Sequence, residues 1–347
     1  MSLHQSFGID VPLVQAPMAG VQAGALAIAV SNAGALGSLP CALLSVDGIE
    51  RELTAIKAQT SRPFNVNFFC HDQPAVDADR EAAWRAALAA YYAEFGIDPA
   101  TIKPGPGRAP FDAAAAAVLE RVRPAVVSFH FGLPADDLLA RVRAFGAKIV
   151  GCATTVAEAR WLEAKGVDAI VAQGVEAGGH RGIFLSDDLT TQMSTLALVP
   201  QVVRAVRVPV IAAGGIADAN GMKAMLTLGA SGVQVGTAFM LCAEATTSRI
   251  HRDALASDAA LHTALTNVFT GRPARGIVNR LVREVGPISA KAPAFPLATS
   301  ALAPLRAEAE RRGSGDFSPL WSGQNASGCR AVPAAQRVRE LTGMQVS

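Results

Sequence analysis

Short apolar runs alternate along this chain with longer stretches of helical periodicity, and no other feature restricts the fold as much. Eight of the runs read as strands: VPLVQAP from Val11, GALGSLP from Gly34, FNVNFF from Phe64, AVVSFHFG from Ala125, AKIVGCAT from Ala147, DAIVAQG from Asp168, VPVIAAGG from Val208 and GVQVGTAF from Gly232. Seven of the eight intervals hold a helical pattern, such as TVAEARWLEAKG, which opens on the capping residue Thr155 and stops at Gly166. Eight βα units predict a closed TIM (β/α)8 barrel rather than an open doubly wound sheet. Two segments exceed the minimal barrel. A helical insertion at about 75–120, with the Pro/Gly loop KPGPGRAPF, separates the third and fourth strands. The expected organisation is a barrel over 1–248, a smaller and mainly helical C-terminal cap domain over 249–315, and a segment over 316–347 that returns to the barrel.

The bulk numbers suit that reading and exclude others. Half of the 347 residues are hydrophobic and 17% are charged, which favours buried parallel strands over disorder. A net charge of +2 without a basic run gives no footprint for nucleic acid. The most apolar stretch, Val11 to Val30, is broken by Gln15, Pro17, Gly20 and Gln22 and makes a poor membrane span. No basic residue precedes Arg51, so no secretory leader is expected. The five cysteines are scattered, which suits a reducing, cytoplasmic setting.

In a barrel of this kind, chemistry sits where strands run out into the following loops. The distinctive polar and glycine residues fall there: Gln15 to Gly20, Asn65 and Asn67, Ser128 and His130, Gln173 to Arg181, Gly214 and Gly215, and Gln234 to Thr237. Glycine loops after the seventh and eighth strands, AAGGIAD and QVGTAFM, suit a phosphate, because bare backbone N–H groups can crowd an anion; Thr237 adds a hydroxyl. Asn65 and Asn67 share one strand face, and with Gln173 and Gln234 they would pair with the donors and acceptors of a flat heteroaromatic ring. Taken singly, each amide reads more readily as a satisfied core group, and their convergence at strand ends reverses that preference.

His180 lies in GVEAGGHRG among four glycines, and His130 ends the fourth strand on the same side as Ser128. His130 reads either as cavity-lining or as a bonded core residue, and His71 as a residue near the mouth; His4, His251 and His262 read as surface or helix residues. No histidine spacing supports a metal, and none is expected. Arg181 either attracts an anionic substrate or pairs with Glu176 or Asp187, while Arg272 and Arg275 read as ion-pairing or loop-anchoring residues.

Taken in order, VQAPMAG, NVNFF, SFHFGLP, AQGVEAGGHRG, VIAAGGIAD and GVQVGTAFM resemble the class I nitronate monooxygenases over most of the chain. The resemblance implies non-covalent FMN and the oxidation of alkyl nitronates, such as propionate 3-nitronate, by O2 to a carbonyl compound and nitrite, a detoxifying reaction. It implies that Asn67, Gln173, Gly178, Gly215, Gln234, Val235, Gly236 and Thr237 contact FMN, that Pro17, Met18 and Ala19 lie along its ring, and that His180 faces the substrate. Gly179 and Gly214 join the cofactor set through their loops, and His130 joins His180 as a catalytic candidate. The C-terminal WSGQNASG resembles a segment that closes near the flavin. The absence of a GxGxxG fingerprint agrees with a mononucleotide. Two rival readings remain at this point: an FMN-dependent NAD(P)H reductase of enoyl thioesters or quinones, and a non-redox isomerase or lyase of phosphorylated substrates. No membrane or nucleic-acid partner is expected, and the expected oligomeric state is monomer or dimer.

Overall fold

The computed structural model describes residues 3–103, 105 and 107–344, so Pro104 and Pro106 of the expected insertion loop and the last residues of the expected 316–347 segment lie outside the description. All eight expected strands form: β1 (Leu13–Gln15), β2 (Gly37–Pro40), β3 (Phe64–Phe69), β4 (Val126–His130), β5 (Lys148–Ala153), β6 (Ala169–Gln173), β8 (Val210–Ala213) and β9 (Gly232–Val235). They pair in parallel in the order β1-β9-β8-β6-β5-β4-β3-β2. A bridge between Val14 and Leu36 joins the two ends, with Leu36 N–H donating to Leu13 O and Gln15 N–H to Leu36 O, both at 2.9 Å. The architecture is therefore the TIM barrel that the alternation predicts.

Burial on both faces of each strand explains the composition. Inside the barrel, Val14, Leu36, Val126, Val150, Val171 and Ile211 pack with Leu3 and Phe7 of a short N-terminal helix, Leu3–Phe7, that plugs the lower end. Outside, each helix turns one apolar stripe inward, such as Ile49, Leu53 and Ile56 of the helix Val46–Gln59. Each such side chain contributes about 1.5–3 kcal/mol on burial. Close packing also dictates Gly37 in β2, where an added Cβ would stand 2.1 Å from the carbonyl oxygen of Ala27 in the helix Gly24–Asn32.

A second core lies beyond the barrel. The insertion helix Ala78–Phe95 packs Trp84, Leu88 and Tyr92 against Ala298, Leu302 and Leu305 of the helix Ala298–Arg311. Trp84 Nε1 donates to Ala298 O at 3.3 Å and Tyr92 OH to Ala301 O at 2.8 Å, so the polar ends of these rings are satisfied inside the contact. The helical reading of 249–315 passed over a small antiparallel sheet: β10 (Thr263–Thr266) pairs with β11 (Ala274–Ile277), which pairs with β7, the two residues Gly179–His180. Strands this short, with Thr and Arg among four residues, show no period of two. No helix among the described residues is long and apolar enough to cross a membrane.

Candidate functional site

One cavity opens at the C-terminal ends of the barrel strands, with about 190 Å3 of space open to the centre of a water molecule. Pro17, Met18 and Ala19 line it from the loop after β1, Asn67 from β3, His130 from β4 and Gln173 from β6. Gly178, Gly179 and His180 enter from β7 and its approach, Gly214 and Gly215 from the end of β8, and Gln234, Val235, Gly236 and Thr237 from β9 and its exit. The structure thus brings every one of these sequence-predicted residues to a single place.

At one end the wall is backbone. Gly214 and Gly215 take φ values of +124° and +69°, which a side chain would strain, so the turn leaving β8 depends on glycine. The segment Trp321 to Asn325 lies across this end. Gly323 N–H donates to Thr237 Oγ1 at 2.9 Å, Asn325 Nδ2 to Gly215 O at 3.1 Å and Gln324 N–H to Glu176 O at 2.9 Å. A Cβ on Gly178 would stand 2.5 Å from Gly323 N, so the two chains meet only because Gly178 has none. The C-terminal motif therefore completes the wall, with Trp321, Gly323 and Asn325 all lining the cavity.

The floor is made of amides in fixed orientations. Asn67 Nδ2 donates to Ser128 Oγ at 2.9 Å and Ser128 O at 3.3 Å, leaving its Oδ1 as an acceptor. Gln173 commits one amide hydrogen and one lone pair to the following loop: Nε2 donates to His180 O at 3.1 Å and Oε1 accepts from Gly182 N–H at 2.8 Å. Asn65 departs from the expectation of a ring partner. Its Nδ2 donates to Ser38 Oγ and Ser128 Oγ below the cavity, in a polar layer shared with Gln15, which is fully buried.

His180 is held by β7, where it pairs with Ala274. His130 Nε2–H donates to His180 O at 3.2 Å, so both candidate histidines belong to one bonded unit. Around them stand the rings of Phe69, Phe131 and Phe295, with Phe295 centred 5.2 Å from His180. Burial, reinforced by Arg108, His130 and Arg272, holds the His180 imidazole well below its ordinary value, and burial holds His130 down to about 4. Both rings are neutral near pH 7. Phe131 has φ +70°, uncommon for an aromatic residue, and the Arg272 guanidinium sits 4.1 Å from its ring centre.

The expectation for Arg181 needs correction. Arg181 neither reaches a substrate nor pairs with Glu176 or Asp187: it is fully buried, with Nη1 donating to Gly174 O at 2.6 Å, Nη2 to Gln173 O at 2.7 Å and Nε to Gln192 Oε1 at 3.0 Å. A cation at a strand end reads as exposed, but here three oxygens replace water. His251 does lie in a helix, Arg249–Leu255, yet it is buried rather than on the surface, donating Nε2–H to Trp321 O at 2.9 Å. His71 is likewise buried, with Nε2 on Arg108 O. Arg272 and Arg275 anchor loops, on Ile183 O and on Val175 O. Sequence reasoning missed Arg108, which enters the cavity from the insertion and is the one charged residue among the described residues that line it. Its only signal was a basic residue in a Pro/Gly loop that also carries Lys103.

The sequence model of the family described as nitronate monooxygenase matches residues 1–343. A nitronate monooxygenase of Pseudomonas aeruginosa is 43% identical over 336 residues, covering 96% of this chain and 96% of the relative. One from Paraburkholderia phytofirmans is 42% identical over 336 residues, covering 96% and 92%. The crystal structure of a nitroalkane oxidase from Streptomyces ansochromogenes superposes with a TM-score of 0.89 at 38% identity, covering 99% of this chain and 97% of the other.

Proposed function

The chain belongs to the nitronate monooxygenase family, and from that premise we propose that it oxidises alkyl nitronates with molecular oxygen, giving a carbonyl compound and nitrite, with non-covalent FMN as cofactor. The observation that carries this reading is the character of the cavity wall: among the described lining residues there is no carboxylate, one guanidinium, four amides and a neutral histidine pair. A wall of this kind suits two anionic ligands, a phosphorylated cofactor and a nitronate.

The donor set fits FMN. Gly215, Gly236 and Thr237 are the candidates for its phosphate, since backbone N–H groups there lack side chains that would block approach, apart from the Thr237 hydroxyl. Asn67 Oδ1, Gln173 and Gln234 are the candidates for the polar edge of the ring, with Pro17, Met18 and Ala19 along its face. Gly178, Gly179 and Gly214 serve the close backbone approach. When bound, the flavin supplies the electron acceptor and the route to O2.

The protein's own work is binding and proton placement. A nitronate is already the conjugate base of a nitroalkane, so it needs no general base. His180 stands at the substrate, and neutral His180 can accept the α-proton when the neutral nitroalkane is offered instead. The rings of Phe69, Phe131 and Phe295 exclude water around that histidine and strengthen each polar contact. Oxygen uptake measured together with nitrite release on propylnitronate tests the proposal. Nitrite release that rises in proportion to oxygen uptake supports it, and uptake without nitrite contradicts it.

A further inference from the structure

Ser128 has a hydroxyl oxygen whose lone pairs are both taken and a hydrogen that no group of the protein accepts. Its Oγ receives Asn65 Nδ2 and Asn67 Nδ2, each at 2.9 Å. Two accepted bonds fill the lone pairs of a hydroxyl, so the one contact left to it is to donate. Among the described residues no acceptor takes that hydrogen. The residue is only 8% exposed, and it lines the cavity.

The surroundings fix the direction of these bonds. Asn67 must turn its NH2 toward Ser128, because the same Nδ2 lies 3.3 Å from the backbone oxygen of Ser128, which only accepts. Asn65 divides its NH2 between Ser128 Oγ and Ser38 Oγ, the latter at 3.0 Å, while its Oδ1 is buried without a partner. Turned over, Asn65 would bury two orphaned donors in place of one orphaned acceptor, the costlier state. Two N–H groups bonded to one oxygen also polarise its O–H and strengthen it as a donor. The cavity is the side left open to that hydrogen.

Beside this donor stands a fixed acceptor. β3 and β4 pair Asn67 with Ser128 in register, so the wall presents the free Asn67 Oδ1 next to the Ser128 hydroxyl. An oxidised isoalloxazine ring carries a single N–H on its rim, flanked by two carbonyl groups. An acceptor beside a donor complements that N–H and one of its carbonyls. Resting on the functional reading above, we propose that Ser128 binds the cofactor ring and sets its potential: Asn67 Oδ1 takes the ring N–H, and the Ser128 hydroxyl donates to a carbonyl beside it. Reduction adds negative charge to that part of the ring, and a hydrogen bond to a charged acceptor is the stronger one. Ser128 therefore holds reduced flavin more tightly than oxidised flavin and raises the reduction potential.

The test measures the two-electron reduction potential of the bound flavin against a reference dye, which needs no substrate turnover, in the wild type and in S128A, S128C and S128T. S128A is expected to favour reduced flavin about 3- to 10-fold less, a fall of about 15–30 mV, the range for one hydrogen bond. S128C, close in size but a weak donor, gives an intermediate fall and serves where S128A does not retain flavin. S128T keeps the hydroxyl and restores the wild-type potential. Resonance Raman spectra of the same proteins are expected to show a flavin carbonyl band at higher frequency in S128A and back at the wild-type position in S128T. Potentials of S128A and S128C within about 1.5-fold of the wild type, a fall shared by S128T, or a fall without the carbonyl shift overturns the assignment of Ser128 alone. Failure of the wild type to retain any flavin overturns the functional reading and this inference with it.

Discussion

His180 Nε2 lies 2.9 Å from Thr270 Oγ1, and Thr270 Oγ1 lies 3.3 Å from the carbonyl oxygen of Arg272. The carbonyl only accepts, so the Thr270 hydroxyl donates to it and receives its own hydrogen bond from His180 Nε2–H. That polarity puts the imidazole proton on Nε2 and leaves Nδ1 as the basic atom. Position and tautomer of the ring are thus set by a residue 90 positions away in sequence.

If Nδ1 is the base for neutral nitroalkanes, His180→Asn removes proton abstraction and keeps a polar side chain. Turnover of nitropropane is expected to fall by about 100-fold or more, within the range for a lost general base, and that of preformed propylnitronate by much less. Parallel assays on the two substrates decide it, and equal losses contradict the base assignment.

Thr270→Val keeps the volume but removes the acceptor that fixes the tautomer. Nitropropane turnover is expected to drop by about 10-fold with a smaller change for propylnitronate, since only the first needs a defined lone pair. A kcat loss shared equally by both substrates assigns Thr270 to packing.

Acid stability follows from the buried histidines. His130 and His251 are each held down to about 4 by burial, whereas their unfolded values lie near 6.5. Below about pH 6.5 the unfolded chain binds more protons than the folded one, so stability is complete above that pH and is lost as pH falls toward 4. By about pH 5 each of these groups removes roughly 2 kcal/mol. Thermal melts at about pH 7.5 and 5 are expected to show a marked drop in Tm that His251→Gln lessens. Equal Tm values at the two pH values contradict the account.

Arg181 is a structural residue, and Arg181→Met is expected to destabilise the protein by about 3–5 kcal/mol, because the carbonyls of Gln173 and Gly174 lose their donors. Lysine does not restore the fork. A raised KM with an unchanged melting curve is the contrary result, and it would return Arg181 to substrate binding.

Gly178→Ala places a methyl group 2.5 Å from Gly323 N and 2.6 Å from Ser322 C, in backbone that cannot swing aside. The Trp321 to Asn325 segment must lift off the cavity, and flavin retained through gel filtration is expected to fall sharply. Full retention contradicts the closing role of that segment.

What the sequence made readable is local. Strand positions and the glycine turns at Gly214, Gly215 and Gly236 follow from apolar runs and from residues without side chains, and both signals sit within a few neighbours. The cap was not readable in that way, because Trp84 meets Ala298 across 214 positions and neither helix announces its partner. β7 escaped notice because two residues show no period, yet it is what holds His180. Arg181 and Arg108 were misjudged for opposite reasons. Arg181 is buried against carbonyls where a charged residue reads as exposed, and Arg108 reaches the cavity from an insertion loop far in sequence from the strand ends that line it.

The central claim is tested most directly by mixing the purified protein under anaerobic conditions with propylnitronate and, in a separate sample, with NADH, and recording the flavin absorbance. The account predicts rapid bleaching by the nitronate and little or none by NADH. Bleaching by NADH with no response to the nitronate would contradict it and identify a reductase, and a colourless protein would point to a barrel without redox chemistry.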